Sequence, residues 1–323
     1  MKTILILVLD GVMDSSLAIT LDTLRTGQAF LANTSKPHKV RVLTAGYKKF
    51  VQTGGGLRLS TDIAFSELLE SAIKPDWIIV PGCGLKSDAE IVAKFTAKDA
   101  LDMMRLLQAM DNGIVKIGAS CSSVFLLAQA GLLAGRRATM TWWLAPLFRS
   151  RFPQIKLDET KMLVQDGPYL TAGAAYAQLD LALAVVTETM GSAIAHLCSR
   201  YLLIDQRPSQ AKYMMQTHVQ HSDPTVIAAE RWIDAHLSTP ISVAALSSEL
   251  ALSAKTLSRR IACATGISPI KFIQRRRLMR ASHLIETTTL SIEAIAAQVG
   301  YQDGTALRKL VKREFGTTPS AMR

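Results

Sequence analysis

Through the first two hundred positions, apolar residues gather into short runs, Ile4 to Leu9, Val40 to Leu43, Trp77 to Val80 and Val115 to Gly118, that start 36 to 38 residues apart. Each run has the length of a strand rather than a helix, and the stretches between them keep helical spacing. That alternation predicts an α/β domain with a mostly parallel, flavodoxin-like sheet wrapped by helices. Such a fold gathers its functional groups beyond the carboxyl ends of its strands.

From Ser242 onward the period changes. SVAALSSELALSAKTLSRRIACATGISP and, from Ser291, SIEAIAAQVGYQDGTALRKLVKREFGTTP carry one pattern twice. Val243, Leu246 and Leu250 recur as Ile292, Ile295 and Val299; after one inserted residue, Gly266 and Pro269 recur as Gly316 and Pro319. In each copy a serine cap opens a short helix with an i, i+3, i+7 apolar stripe, a tight connection follows, and a second helix begins. Ser253 is the expected cap of that second helix in the first copy, with Leu257 and Ile261 inward and Lys255, Ser258 and Arg259 outward. Asp303 takes the same part in the second copy, with Leu307 and Leu310 or Val311 inward and Thr305, Arg308, Lys309 and Lys312 outward. This is helix-turn-helix organisation, and it predicts an all-α carboxyl-terminal domain. A second helix bearing basic and hydroxyl residues fits the major groove, where Arg or Lys donates to guanine acceptors and Thr meets a thymine methyl or a phosphate. A solvated helix face would carry the same residues, and the duplication separates the two readings.

Between the copies, Ile270, Ile273, Arg277 or Leu278, Ala281 and Ile285 keep helical spacing. They predict one connecting helix from Pro269 to Glu286 that fixes the separation of the two readers. Docked on one face of a duplex, the reading helices would lie about 34 Å apart, one helical turn. Arg275, Arg276 and Arg277 either meet phosphates or form a solvated face.

The chain has 323 residues, more than one hydrophobic core normally organises, which favours two domains. With 49% apolar and 20% charged residues the composition is globular and excludes a long disordered segment. The formal charge of +11 is unevenly held: residues 224–323 contain 14 Lys/Arg against 7 Asp/Glu, a net +7, leaving +4 to the longer remainder. A surface that meets phosphates has that balance, as does a solvated basic face. No apolar stretch approaches the roughly 18 to 20 residues of a membrane helix. The opening MKTILILVLDG mimics a signal peptide, but its apolar run ends at Asp10 and reads as a buried first strand. Cys83, Cys121, Cys198 and Cys263 show neither CxxC pairing nor metal-ligand spacing to His, so no metal, cofactor or disulfide is expected and a reducing cytoplasm fits.

The last hundred residues resemble the DNA-binding domain of AraC/XylS-type regulators in ERWIDAHLSTPISVAALSSELALS, RRRLMRASHLIETTTLSIEAIAAQVGYQD and FGTTPSAMR. The resemblance implies that Lys255, Ser258 and Arg259, and Thr305, Arg308 and Lys309, sit at base-reading positions. It also implies an activator that contacts RNA polymerase, although repression stays open. Tyr301 and Leu307 replace the common phenylalanine and Met322 a tyrosine, and none of these changes removes a DNA-facing group.

KIGASCSSVFLLAQAGLL sets Cys121 among small residues at the step from an apolar strand into an apolar helix. That is the shape of a nucleophile elbow, whose tight turn demands small neighbours. A buried structural cysteine would read the same. Together with DWIIVPGCG, AQAGLLAGRRATMTWW and LTAGAAYAQLDLALAVV, the elbow resembles the ThiJ/PfpI, class I glutamine amidotransferase-like superfamily, and within it the GlxA-like regulators that fuse such a domain to an AraC-type one. The departures bear on the chemistry. Enzymes of the superfamily carry His after the cysteine, where Ser122 stands, and regulator relatives often have His where Thr141 stands. The usual first-loop acid aligns with Ser16, two positions from Asp14, and the expected glycine is Ser123. A nucleophilic cysteine needs a base or charge partner to supply its thiolate. The expected role is therefore binding rather than catalysis, with a small effector in a strand-end crevice lined by Asp14, Ser16, Gly82, Cys121, Trp142 and Thr171. The Trp142–Trp143 pair either forms its rim or packs in the core. A hydrolase or amidase using Cys121 is the rival reading, and a chaperone or a thiol redox sensor using Cys121, with no small ligand, is a third; Cys83 in PGCG could pair with Cys121 in such a sensor.

These features together imply a regulator with a sensor and dimerisation domain over residues 1–205, a linker over 206–222 and a DNA-binding domain over 223–323. Asp223 and Pro224 start the helix that contains Trp232. The expected partners are duplex promoter DNA, RNA polymerase, a metabolite effector and a second copy of the chain, with no membrane.

Overall fold

The computed structural model describes residues 1–34, 38–205, 207, 209–214 and 223–323. The chain divides into two compact units, Met1–Leu144 with Gln154–Pro208, and Ala145–Pro153 with Ser209–Arg323. From the amino terminus run β1 (Lys2–Val8), α1 (Asp14–Ala32), β2 (Val40–Gly46), the hairpin strands β3 (Phe50–Gln52) and β4 (Arg58–Ser60), β5 (Ile63–Ala64), α2 (Phe65–Glu70) and β6 (Trp77–Val80). Then follow α3 (Asp88–Phe95), α4 (Lys98–Met110), β7 (Lys116–Ser120), α5 (Val124–Gln129), β8 (Arg137–Ala138), α6 (Ala145–Arg151), β9 (Lys156–Leu157), β10 (Leu163–Asp166), β11 (Tyr169–Ala172), α7 (Ala177–Met190) and α8 (Ser192–Tyr201).

Seven strands form one sheet in the order β10-β11-β7-β6-β1-β2-β5. Every neighbouring pair is parallel except β10 with β11. The central strand explains its own sequence. Ile4, Ile6 and Val8 pack with Leu17 and Leu24 of α1 and Leu181 and Val185 of α7, while Leu5 and Leu7, pointing the other way, are equally inaccessible. A strand covered on both faces reads as a continuous apolar run, not an alternating one. The four expected strands are present: β6 has the expected bounds, β1 covers Lys2–Val8, β2 runs on to Gly46 and β7 covers Lys116–Ser120. From β1 the chain proceeds to β2 and β5 on one side, then returns to β6 on the other, so the order reverses between β1 and β6. Ligand sites of open parallel sheets lie at such reversals.

In the second unit, besides α6, the helices are α9 (Pro224–Ala235), α10 (Val243–Glu249), α11 (Ala254–Thr265), α12 (Pro269–Thr287), α13 (Ile292–Gln298) and α14 (Gly304–Phe315). The expected caps are in place. Asp223 accepts from the Thr225 N–H at 2.7 Å, Ser242 from Ala245, Ser253 from Thr256, Ser291 from Ala294, and Asp303 from Ala306 at 2.7 Å. Each such bond satisfies an amide left open by the first helical turn. Gly266 and Gly316 close α11 and α14 in the left-handed region, both at φ +72°, where glycine avoids the Cβ penalty.

Helix α12 serves two cores. Phe272 and Ile273 pack with Ile233, Leu246, Leu257 and Ile261, whereas Leu278, Ala281, Leu284 and Ile285 pack with Ile295, Val299, Leu307, Val311 and Phe315. Its span agrees with the expected connecting helix, but its inward stripe does not include Ile270, which is 61% exposed. Phe272 takes the buried place two positions on, because the first core meets α12 one face over from the assumed stripe. Much of the expected 206–222 linker, namely 206, 208 and 215–222, lies outside the described residues. Among the described residues no helix is long and apolar enough to cross a membrane.

Candidate nucleic-acid interface and the strand-end cysteine

Each helix-turn-helix needs a residue that reverses the chain between its helices. In the first copy that residue is Ala251, at φ +51°, and in the second Gly300, at φ +76°. A Cβ on Gly300 would run into the Leu237 carbonyl oxygen and the Arg277 guanidinium, so the second turn has room only for glycine. Both turns present the following helix in the same way. Leu257 and Ile261 of α11, and Leu307 and Val311 of α14, are fully buried, which settles the Leu310/Val311 alternative in favour of Val311. On the opposite side Lys255 and Arg259 of α11 and Thr305, Arg308, Lys309 and Lys312 of α14 are exposed, and Ser258 is half-buried. Arg308 donates to the Glu293 carboxylate of α13 at 2.9 Å.

The arginine run of α12 is neither a phosphate-facing cluster nor a solvated face. Arg276 is 8% exposed. Its Nε donates to Asp234 at 3.0 Å and its Nη1 to Glu230 at 3.0 Å, with a further Nη2 bond to Asp234. Two acids one helical turn apart on α9 thus receive one planar fork, a geometry that only arginine supplies. Arg277 donates to the Gly300 carbonyl at 3.0 Å and the Thr239 carbonyl at 2.6 Å, bracing the second turn. Arg275 reaches the Met214 sulfur at 3.3 Å. The acids at Glu230 and Asp234 were the available signal, since their i, i+4 spacing places them on one face.

At the other end of the chain, Cys121 follows β7 with φ +54° and opens a single 3-10 turn before α5. A non-glycine residue in that region is held there by its surroundings. Its N–H donates to the Gly173 carbonyl at 2.9 Å, and Gly82, after β6, lies so close that a Cβ would meet that of Cys121 at 2.8 Å. The elbow is therefore real, and its neighbours are hydroxyls. Ser16, in the place of the family's acid, accepts the Gly82 N–H at 2.9 Å. Ser122, in the place of histidine, accepts the Leu85 N–H at 3.4 Å, and Ser123 donates to the Pro81 carbonyl at 2.7 Å. Burial pushes the Cys121 thiol up, outweighing the pull of Ser122, Thr141 and the Gly84 backbone. Burial likewise raises Cys83 to about 11. Both thiols are free.

The remaining crevice candidates are mostly engaged. Thr171 accepts the Thr139 N–H at 2.9 Å and so ties the β8 segment to β11. Trp142 is 5% exposed and packs edge-on against Trp143, with ring centroids 5.3 Å apart. Of the six, Asp14 alone is not buried. The Thr53 hydroxyl at 2.5 Å and the Gly55 N–H at 2.8 Å hold its carboxyl below the ordinary range. The two partners come from the TGGG stretch, whose glycines let the loop approach: a Cβ on Gly55 would strike the carboxylate at 2.5 Å.

A parallel α/β sheet with a strained cysteine at a strand end, joined in one chain to a double helix-turn-helix, defines the class of this protein. Residues 2–188 match the DJ-1/PfpI family and residues 246–323 a helix-turn-helix domain, here of the AraC type. The chain belongs to the DJ-1/PfpI family, in the form that carries this second domain. It is 24% identical over 221 residues to the HTH-type transcriptional regulator CdhR of Pseudomonas aeruginosa, covering 68% of this chain and 66% of that protein. It is 27% identical over 217 residues to the HTH-type transcriptional regulator GlxA of Rhizobium meliloti, covering 65% of each. The matches thus span just under two thirds of these relatives. Over 112 residues, 35% of this chain and 40% of the other, it is 29% identical to the HTH-type transcriptional activator RhaS of Escherichia coli. The fold is shared with an AraC family transcriptional regulator from Pseudomonas putida, at TM-score 0.50 and 19% identity over 62% of this chain and all of that one. A ThiJ/PfpI family protein from Pseudomonas syringae shares it at TM-score 0.50 and 17% identity, over 82% and 90%.

Proposed function

We propose that the chain is a sequence-specific DNA-binding transcriptional regulator of the cytoplasm, an activator that reads duplex promoter DNA through α11 and α14. The observation that carries this reading is the pair of reading helices, alike in caps, left-handed turns and glycine stops, each with basic residues on its outer face. Lys255, Ser258 and Arg259 would read one stretch, and Thr305, Arg308, Lys309 and Lys312 the other. The regulator relatives support the same reading. Selection by the full chain from a randomised duplex library tests it. Two short motifs about one helical turn apart are expected, and no enrichment over the input pool would refute it.

The amino-terminal domain acts in this proposal as a non-catalytic sensor of a small metabolite and as the site of dimerisation, with RNA polymerase as the downstream partner. The effector crevice is placed at the strand ends, with Asp14 at its mouth and Ser16, Gly82, Cys121, Trp142 and Thr171 behind it. A ligand switches such a protein only by binding one state more tightly than another. The reading against catalysis rests on the buried, raised thiol and on Ser122 and Ser16 where a base and an acid would stand. Cys121→Ala separates the rivals: a sensor still binds DNA in response to effector, with at most a shifted effector midpoint, a hydrolase loses turnover, and a thiol switch loses its oxidant response.

A further inference from the structure

The two helix-turn-helix copies are alike in backbone and unlike at one connected trio. Aligned on their caps and closing glycines, Glu293, Gly304 and Arg308 of the second copy stand where the first has Ala244, Ala254 and Ser258. In the second copy the three residues meet. The Arg308 Nη2 donates to the Glu293 Oε1 at 2.9 Å, and a Cβ on Gly304 would lie 2.6 Å from that same oxygen. The missing side chain at 304 therefore makes room for the carboxylate. The first copy, with two alanines and a serine, has none of the three.

Glu293 lies in the first turn of α13, not on the reading helix, and its side chain is 63% exposed, as Arg308's is 48%. Its carboxyl is held below the ordinary range by its own backbone N–H and then by Arg308, so it is ionised at neutral pH. An exposed carboxylate beside a surface that meets phosphates is electrostatically unfavourable unless it does something else there. A guanidinium has five N–H donors in a rigid fork, so one bond to Glu293 leaves the other donors free for the paired acceptors of a guanine edge.

We propose that Glu293 is a positioning residue for base reading: through the space left by Gly304 it holds the Arg308 guanidinium in one orientation, giving the second copy a bidentate base contact that Ser258, at the matching position of the first copy, cannot make. The inference rests on the reading of α14 as a DNA-reading helix and adds to it how that helix discriminates. The bond trades general attraction for selectivity, because the carboxylate repels the backbone of every duplex alike. Gly304→Ala should act as a mild form of the same lesion, since the displaced carboxylate end must leave the guanidinium.

The test is the base-preference profile of the full chain, obtained by selection from a randomised duplex library, for the parent protein and for Arg308→Ala, Glu293→Ala, Glu293→Gln and the Arg308→Ala/Glu293→Ala pair. Arg308→Ala is expected to flatten the preference at one or two base pairs by about tenfold or more, the scale of one bidentate contact. Glu293→Ala should flatten the same base pairs by roughly three- to fivefold while raising affinity for random duplex, and Glu293→Gln, which still offers an oxygen, should recover part of the preference. The double variant should match Arg308→Ala alone. A Glu293→Ala profile equal to the parent's, or changed at base pairs that Arg308→Ala leaves intact, overturns the positioning role. A flat response to Arg308→Ala as well would overturn the reading of α14 itself.

Discussion

At the scale of single residues, two left-handed positions do the same work with different costs. Ala251 pays the steric penalty of a Cβ at φ +51°, about 1–2 kcal/mol for an L-residue in that region. Ala251→Gly should therefore raise the stability of the second unit by about 0.5–1 kcal/mol once glycine's greater freedom in the unfolded chain is subtracted. Gly300→Ala should lose about 2–3 kcal/mol, because the clash is with the backbone at Leu237. Urea denaturation of the two variants checks the pair, and a change of the same sign in both would contradict the two assigned costs. The cysteines give a second residue-scale prediction. At pH 8 iodoacetamide should label Cys263, the exposed thiol, well before the buried Cys83, Cys121 and Cys198. The Cys83 thiol ionises near 11 when folded and near 8.5 when unfolded. As an acid raised by folding it favours the native state less and less as pH climbs from about 8.5 towards 11. The difference in midpoint between the parent and Cys83→Ala should accordingly shrink over that range, and a constant difference would contradict the assignment.

Elements, in turn, are held by pairings that a periodicity argument does not contain. Arg276 was legible only as one of three basic residues, yet it is the post on which α9 is fastened to α12. Arg276→Ala leaves Glu230 and Asp234 without their partner and should cost about 2–4 kcal/mol, reduced from a fully buried triad because Asp234 is partly exposed. Thermal unfolding measures it, and a loss below about 0.5 kcal/mol, the range of an exposed pair, would show that packing alone fixes α9. Caps, turns and reading helices were legible because they depend on residues three or four apart in the chain. The strands β5, β10 and β11 were not, since β5 has two residues and β10 and β11 interrupt their apolar residues with Gln165, Asp166 and Thr171, unlike the unbroken run of β6. The elbow was visible from its small neighbours, but what those neighbours bond was not. Ser16 meets Gly82 across 66 positions, and Asp14 meets Thr53 across 39.

For the whole molecule, charge and repetition point the same way. The net +7 of residues 224–323 predicts a steep salt dependence of DNA binding, the logarithm of affinity falling with that of salt by about 0.9 for each phosphate neutralised. A base-reading side chain and a phosphate-binding one differ in that readout: losing a phosphate contact lowers the slope by about one for all sequences, and losing a base contact relaxes preference at one position. The 19-residue helix α12, about 28 Å long, ties both readers to one strut, so the spacing of the two motifs should be fixed rather than variable.

Whether α11 and α14 read DNA is decided by a footprint of the full chain on its selected duplex, compared with those of Arg259→Ala and Lys309→Ala. Two protected stretches are predicted, with Arg259→Ala weakening the one read by α11 and Lys309→Ala the one read by α14. Footprints and affinities unchanged in both variants would show that these helices do not read DNA.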